Sequence, residues 1–148
     1  MAHAYPFSIT WNGNTLADPY SRDATATAVG KPSIPVSSAA EYAGDGARWN
    51  PEDLLGTALA TCHMLTFLAL CAKTRTEVLA YEDHAESILD TVDKVTSIVE
   101  IRLHPTIRVT KGTDLAKVEE LFQKSHKYCF VANSIHSRVV MEPHITEA

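Results

Sequence analysis

Residues 50–73 read NPEDLLGTALATCHMLTFLALCAK, and this stretch decides how the rest of the chain can fold. Asn50 is a favourable N-cap, Pro51 suits the first helical position, and the two acidic residues that follow face the positive end of the helix dipole. From Leu54 to Ala72 there are nineteen residues without a formal charge. Such a length could just span a bilayer, but the threonines, glycine and histidine within it favour the buried central helix of a globular core.

The sequence before this helix has the pattern of strands and loops. Phe7, Ile9 and Trp11 alternate with polar residues, and Asn12-Gly13-Asn14 then predicts a hairpin turn. A short strand is predicted within 20–28, and the proline, glycine and serine residues of 31–48 indicate mainly loop.

The sequence after the helix turns to β-branched alternation. Strands are predicted over 78–88 and 95–109, where Pro105 indicates an edge or a bulge. Lys111-Gly112-Thr113-Asp114 predicts the start of a second helix that ends near Tyr128, and 137–145 is predicted to be a closing strand. With no repeat and no linker, this order predicts one α+β domain over residues 1–148, with its sheet packed on the buried helix.

Composition narrows the class of protein. The 148 residues carry 13 basic and 18 acidic side chains, a net charge of −5, which argues against a nucleic-acid binder. The N-terminal residues have neither the basic nor the apolar region of a signal peptide. Three cysteines are an odd and low number for a disulfide scaffold. We therefore expect a cytoplasmic protein in a reducing compartment that does not bind a membrane.

The three cysteines differ in their surroundings. Cys62 and Cys71 are nine residues apart on one helix, so they point to opposite sides about 13 Å apart along the axis and cannot pair within one chain. Cys71 is most simply a small buried hydrophobe. Cys62 lies in the middle of the helix, where the dipole does not lower its pKa, so a reactive Cys62 needs a cation from elsewhere. Near Cys129, basic neighbours favour a thiolate and the helix C-terminus opposes it, which leaves its role open.

Several of these segments together resemble the OsmC/Ohr family of cysteine-based peroxidases. The resemblance runs from about Phe7 to Ile145 and is carried by an ordered set of short motifs, with the two cysteines concerned 67 positions apart. Those motifs are Tyr20-Ser21-Arg22-Asp23, Ser37-Ser38-Ala39-Ala40, Asn50-Pro51-Glu52-Asp53-Leu54-Leu55, Ala60-Thr61-Cys62-His63-Met64-Leu65-Thr66-Phe67-Leu68 and Tyr128-Cys129-Phe130-Val131-Ala132-Asn133-Ser134. One departure is Phe130, because many relatives have proline directly after the second cysteine.

The resemblance implies an OsmC-like fold, with antiparallel sheets packed on a long central helix in an intertwined homodimer. It implies a peroxidase that reduces organic hydroperoxides, and hydrogen peroxide as a further substrate, without a metal or organic cofactor. Cys62 would be the peroxidatic thiol and Cys129 the resolving thiol, joined in a disulfide that a dithiol reductant, often of lipoyl type in this family, reopens. Arg22 and Glu52 would be the charged pair that activates Cys62.

Distance then suggests how those residues meet. Glu52 and Cys62 are about 15 Å apart along one helix, further than one arginine side chain can bridge. Two copies of the helix running antiparallel across a two-fold axis would bring Glu52 of one subunit near Cys62 of the other. We therefore expect a homodimer with composite active sites.

Three other interpretations remain. Cys62, His63, His126 and Cys129 have the atom types of a zinc site, but adjacent Cys62 and His63 diverge by about 100° on a helix. A Cys-His hydrolase would need a base, and His84, His126 and His136 are all available. The chain could also be a non-enzymatic, stress-related domain that senses oxidation. Steady peroxide consumption separates an enzyme from a sensor.

Overall fold

The computed structural model describes residues 1–148, which form two compact units, 1–54 and 55–148. The first unit contains a three-stranded antiparallel sheet in the order β1-β2-β3. Its strands are β1 (Ser8–Thr10), β2 (Ala24–Thr27) and β3 (Ile34–Val36), and a short 3-10 turn follows at Ala40–Tyr42.

The predicted hairpin at Asn12-Gly13-Asn14 is wrong. β1 ends at Thr10 and its partner β2 begins only at Ala24, so a long loop joins them. Within that loop the side chain of Asn14 accepts a hydrogen bond from the peptide N–H of Leu16 at 2.9 Å. Trp11 lies outside β1, and its indole N–H donates to the carbonyl of Ser21 at 2.8 Å within the same loop. Asn14 therefore closes a local turn inside the loop.

The long helix begins where the sequence predicts. α1 comprises Pro51–Lys73, and the side chain of Asn50 accepts from the peptide N–H of Asp53 at 2.7 Å. Asp53 reciprocates, because its carboxylate accepts from the N–H of Asn50 at 3.2 Å. This reciprocal cap satisfies two backbone donors at the start of the helix.

The second unit contains two three-stranded sheets and a second helix, α2 (Leu115–Tyr128). One sheet has the order β4-β7-β9 and the other β5-β6-β8. Each sheet combines an antiparallel pair with a parallel one, β7 with β9 and β6 with β8, which the sequence pattern did not indicate. The strands are β4 (Val78–Asp83), β5 (Glu86–Val92), β6 (Val95–Leu103), β7 (Pro105–Val109), β8 (Arg138–Met141) and β9 (His144–Glu147).

The strands predicted in this unit are each divided by a break. The closing strand becomes β8 and β9, which join different sheets, and Pro105 opens β7 directly after β6. Since proline cannot donate to the strand ladder, the first position of a strand suits it. The predicted α+β fold class is confirmed.

One face of α1 is buried. Its buried residues recur every three or four positions: Gly56, Leu59, His63, Phe67 and Cys71. Phe67 and Cys71 belong to a core cluster with β7 and α2, whereas Leu59 belongs to a second cluster with Ile101, Leu103 and Cys129. Burial of these side chains against sheet and helix residues is the main stabilising contribution of α1.

The opposite face of α1 is exposed in a single chain. Its exposed residues are mostly small and uncharged: Thr57, Ala58, Thr61, Leu65, Ala69 and Ala72. α1 is also the one helix long and apolar enough to cross a membrane by length and composition, a test that core helices of soluble proteins pass as well.

We expect His63 to make stability depend on pH. Burial, with a smaller effect of nearby His126, lowers the pKa of His63 to about 4 from its ordinary 6.5. Between these values the unfolded chain binds a proton that the folded chain excludes, so the free energy of unfolding should fall as pH drops from 6.5 to 4. The contribution is on the order of 3 kcal/mol. Urea unfolding at several pH values measures it.

His63→Gln should lose this part of the pH dependence, and His3→Gln, at an exposed histidine, should keep it. Parallel curves of unfolding free energy against pH for wild type and His63→Gln would contradict the assignment.

Candidate functional site

The structure brings two of the predicted site residues, Cys62 and Cys129, into contact. Cys62 is the twelfth of the 23 residues of α1, and Cys129 follows the last residue of α2. Cys129 is fully buried in the cluster with Leu59, Ile101 and Leu103, and the half-buried Cys62 packs against this cluster. The two side chains are close enough to share a hydrogen bond. Both thiols are free.

Cys129 reaches this position because α2 stops in front of it. Asp114 caps the start of α2, accepting from the peptide N–H of Lys117 at 3.3 Å. After Tyr128 the backbone of Cys129 turns to an extended conformation, with φ −70° and ψ 114°. A short 3-10 turn follows at Ala132–Ser134. The buried face of α2, which includes Val118 and Phe122, matches the predicted apolar face.

Hydrogen bonds make Cys62 the more acidic thiol. Burial raises its pKa, but the peptide N–H of Val131, the thiol of Cys129, the peptide N–H of Phe130 and the hydroxyl of Thr66 all lower it. The net effect is a pKa below the ordinary value for a cysteine. A thiolate acts as the nucleophile in cysteine chemistry, so these donors favour reaction at Cys62.

Cys129 is affected in the opposite direction. Burial raises its pKa to about 11, and the neighbouring Cys62 raises it further, whereas the peptide N–H groups of Ala132 and Val131 lower it in part. Ala132 N lies 3.5 Å from the sulfur of Cys129. At neutral pH the pair therefore consists of a more acidic Cys62 and a protonated Cys129 that can donate to it.

Cys71 lies outside this pair. Burial raises its pKa to about 11, with a small opposing effect of Lys117, and its side chain packs in the cluster with Phe67 and Phe122. These surroundings agree with the prediction that Cys71 is a buried hydrophobe.

The other two predicted site residues, Arg22 and Glu52, belong to the first unit. Arg22 donates to the carbonyl of Tyr20 at 3.0 Å, and its guanidinium lies 4.0 Å from the centre of the Tyr20 ring. Glu52 is in the first turn of α1, on the same helix as Cys62. Their roles towards Cys62 stay predictions.

The ring of His63 is engaged with Phe122 and Ser125. His63 is fully buried, with its ring 4.7 Å from that of Phe122 and its two nitrogens each 3.4 Å from Ser125 Oγ. No group of three or more His, Cys, Asp or Glu side chains has the arrangement of a metal site. None of the hydrogen bonds that lower the pKa of Cys62 comes from a histidine. The contacts of Cys62 therefore do not favour a Cys-His hydrolase.

Sequence reasoning missed three residues that contact Cys62. Thr66 is four residues further along α1, a spacing that places it on the same helix face, and its single hydroxyl hydrogen is shared between the sulfur of Cys62 and the carbonyl of Cys62, which is 2.8 Å from the hydroxyl oxygen. That spacing is visible in the sequence. Phe130 and Val131 contribute through peptide N–H groups, which no side-chain pattern reveals.

Comparisons with known proteins agree on one family. The family model described as "OsmC-like protein" matches residues 44–144. An OsmC-like protein of unknown function from Vibrio cholerae is 30% identical and superposes with a TM-score of 0.88, over 96% of this chain and 99% of that chain. A comparison with curated protein sequences gave no match.

More distant structures share the fold. An organic hydroperoxide resistance protein OsmC from Legionella pneumophila is 16% identical with a TM-score of 0.68, over 99% of this chain and 98% of that chain. The organic hydroperoxide resistance protein OhrB of Bacillus subtilis is 17% identical with a TM-score of 0.63, over 96% and 98%. At these identities the likeness concerns the fold.

We expect an alkylating reagent to distinguish the three thiols. At pH 7 a thiol of pKa about 11 is ionised in only about one molecule in ten thousand. Iodoacetamide should therefore label Cys62 at least about tenfold faster than Cys71 or Cys129, as measured by mass spectrometry of the separated peptides. In urea-unfolded protein the three rates should converge. Faster labelling of Cys71 or Cys129 in the folded protein would refute this order.

Proposed function

Because this chain belongs to the OsmC-like protein family, we propose that it is a thiol-dependent peroxidase that reduces organic hydroperoxides, with hydrogen peroxide as a further substrate. Cys62 is the peroxidatic thiol and Cys129 the resolving thiol. The single observation that carries this proposal is the contact between these two thiols, in which Cys62 has a lowered and Cys129 a raised pKa. The names of the Legionella and Bacillus proteins support the choice of organic hydroperoxides.

The proposed reaction consumes both thiols. The thiolate of Cys62 attacks the distal oxygen of the peroxide, forming an S–O bond as the O–O bond breaks, and the departing alkoxide takes a proton to become an alcohol. Cys129 then attacks the sulfenic sulfur, so that the S–S bond forms and hydroxide leaves as water with the proton of Cys129. The peroxide has gained two electrons, and the two thiols have become a disulfide.

A dithiol completes the cycle by thiol–disulfide exchange. It attacks the Cys62–Cys129 disulfide, passes through a mixed disulfide and leaves as its own cyclic disulfide, which is chemistry suited to a lipoyl-type reductant. We place this cycle in the cytoplasm, where free thiols persist.

Arg22 and Glu52 complete the proposed site. A guanidinium stays charged at any working pH and stabilises a neighbouring thiolate, and a carboxylate can orient it by a charge-assisted hydrogen bond. Because Glu52 and Cys62 are about 15 Å apart along α1, we assign Arg22 and Glu52 to a site shared between two subunits.

A homodimer through α1 is therefore part of the proposal. The exposed face of α1 described above is uncharged and made mostly of small side chains from Thr57 to Ala72, and Leu65 on it is 57% exposed. Small side chains allow a second helix to approach closely, and an exposed large apolar residue among them is typical of an interface. An isologous contact across a two-fold axis would cover it and create two equivalent sites.

Substitution of single cysteines tests the catalytic roles. Cys62→Ser should abolish peroxide consumption with a dithiol, because serine cannot form the sulfenic acid. Cys71→Ser is the matched control on the same helix and should retain it. Cys129→Ser should turn over once and accumulate a sulfenic acid at Cys62 that dimedone traps. Rates with cumene hydroperoxide, a fatty-acid hydroperoxide and hydrogen peroxide define the substrate class.

Peptide mapping after one equivalent of hydroperoxide should find a Cys62–Cys129 disulfide within one chain and a free Cys71. Dimedone trapping at Cys129 in Cys62→Ser would reverse the two roles. Formation of the disulfide without steady turnover would identify a redox sensor in place of an enzyme.

The dimer has its own test. In sedimentation equilibrium at micromolar concentration, wild type should be a dimer and Leu65→Glu a monomer, because a charge on the exposed face of α1 would oppose burial of that face in the interface. Leu79→Glu alters an exposed leucine of β4 and should leave the dimer intact. A folded and fully active wild-type monomer would disprove composite sites.

A further inference from the structure

We propose that the peptide N–H groups of Phe130 and Val131 form a built-in donor pair that holds the sulfur of Cys62 as a thiolate, and that Ser134 and Asn133 position this pair. The inference rests on the proposed function for its place in catalysis, but it concerns the thiol itself. A backbone pair of this kind is available with any residue except proline at position 130.

Three successive peptide N–H groups are directed at the two sulfurs. That of Phe130 donates to Cys62, that of Val131 is shared between Cys62 and Cys129, and that of Ala132 lies 3.5 Å from the sulfur of Cys129. The geometry follows from the end of α2: Cys129 is extended and Val131 is helical, with φ −68° and ψ −39°. This change of conformation curls the backbone around the thiol pair.

The carbonyl side of each peptide is anchored. Only the Asp18-Pro19 peptide of the chain is cis, so the peptides after Cys129 and Phe130 are trans and direct their N–H and C=O groups in opposite directions. The carbonyl of Cys129 accepts from Asn133 N at 3.1 Å, and the carbonyl of Phe130 accepts from Ser134 Oγ at 2.8 Å. Each of these bonds fixes a peptide plane whose N–H lies on the side of the thiol pair.

Further bonds hold the anchoring residues in place. The side-chain amide of Asn133 donates to the carbonyl of Lys127 at 3.1 Å, and Ser134 N donates to the carbonyl of Val131 at 2.9 Å. The donor pair is thus preorganised, and ionisation of Cys62 requires no rearrangement of the turn.

The side chain of Phe130 takes no part in this arrangement, since it is 81% exposed. Position 130 therefore allows one hydrogen-bond donor to be deleted with little other change. Proline has no N–H, and the extended backbone of Cys129 is the conformation that a residue before proline adopts. Phe130→Ala shortens the side chain and keeps the N–H, so it is the matched comparison.

The pH dependence of Cys62 alkylation by iodoacetamide in the reduced, full-length protein tests the proposal. The midpoint for Phe130→Pro should lie about one pH unit above that for Phe130→Ala, a tenfold loss of thiolate at a given pH below the midpoint. Equal midpoints in two variants with native circular dichroism and cooperative unfolding would overturn it.

Ser134 supplies a second comparison if Phe130→Pro does not fold. Ser134→Ala releases the carbonyl of Phe130 and should raise the midpoint, and Ser134→Thr, which keeps a hydroxyl, should restore it towards wild type. Equal midpoints for Ser134→Ala and Ser134→Thr would overturn the positioning role. A shifted midpoint in a protein that consumes no peroxide would support the donor pair and refute the peroxidase, so the two proposals fail separately.

Discussion

Burial on its own would keep Cys62 protonated, and the hydrogen bonds on its sulfur reverse that tendency. The thiol lies at the centre of α1, so neither end of the helix dipole assists it. The donors come instead from Thr66 on the same helix and from the turn after α2. The packing of the end of α2 beside the middle of α1 is therefore the requirement that the surrounding core has to satisfy.

The core satisfies this requirement through the register of two helix faces. The buried residues of α1 follow a spacing of three and four, and those of α2 do the same, so each helix presents one apolar stripe to the sheets. Leu59 and Cys129 share one cluster with β6, and Phe67 and Phe122 share the other with β7. Two separate contacts set the position of α2 along α1, and the turn at 129–134 follows from the point where α2 ends.

Much of this arrangement can be predicted from the sequence because local chemistry encodes it. The start of α1 depends on Asn50 and its neighbours, and the end of α2 near Tyr128 also follows from local pattern. What could not be predicted depends on long-range pairing. Asn12-Gly13 has the residues of a hairpin turn, yet a loop of thirteen residues separates β1 from its partner β2. The parallel pairing of β8 with β6 and of β9 with β7, in separate sheets, also has no local signature.

The candidate site likewise contains residues that the sequence indicates and contacts that only the folded structure reveals. Cys62 and Cys129 follow from the family resemblance, and the structure brings them together, whereas the peptide donors of Phe130 and Val131 exist only because the chain folds around the sulfur. Thr66 lies between these cases, since its four-residue spacing from Cys62 is readable but says nothing of what the hydroxyl contacts.

The unequal acidity of the two thiols gives the proposed cycle its order. The pKa of Cys129 is raised first by burial and also by the neighbouring Cys62, whose thiolate repels a second negative charge. While Cys62 is reduced, Cys129 therefore stays protonated and cannot compete for the peroxide. Oxidation of Cys62 to a neutral sulfenic acid removes that repulsion, while the donation from Ala132 N to the sulfur of Cys129 remains. Cys129 thus becomes easier to ionise at the step in which it must attack, and no movement of charged side chains is needed to time the two events.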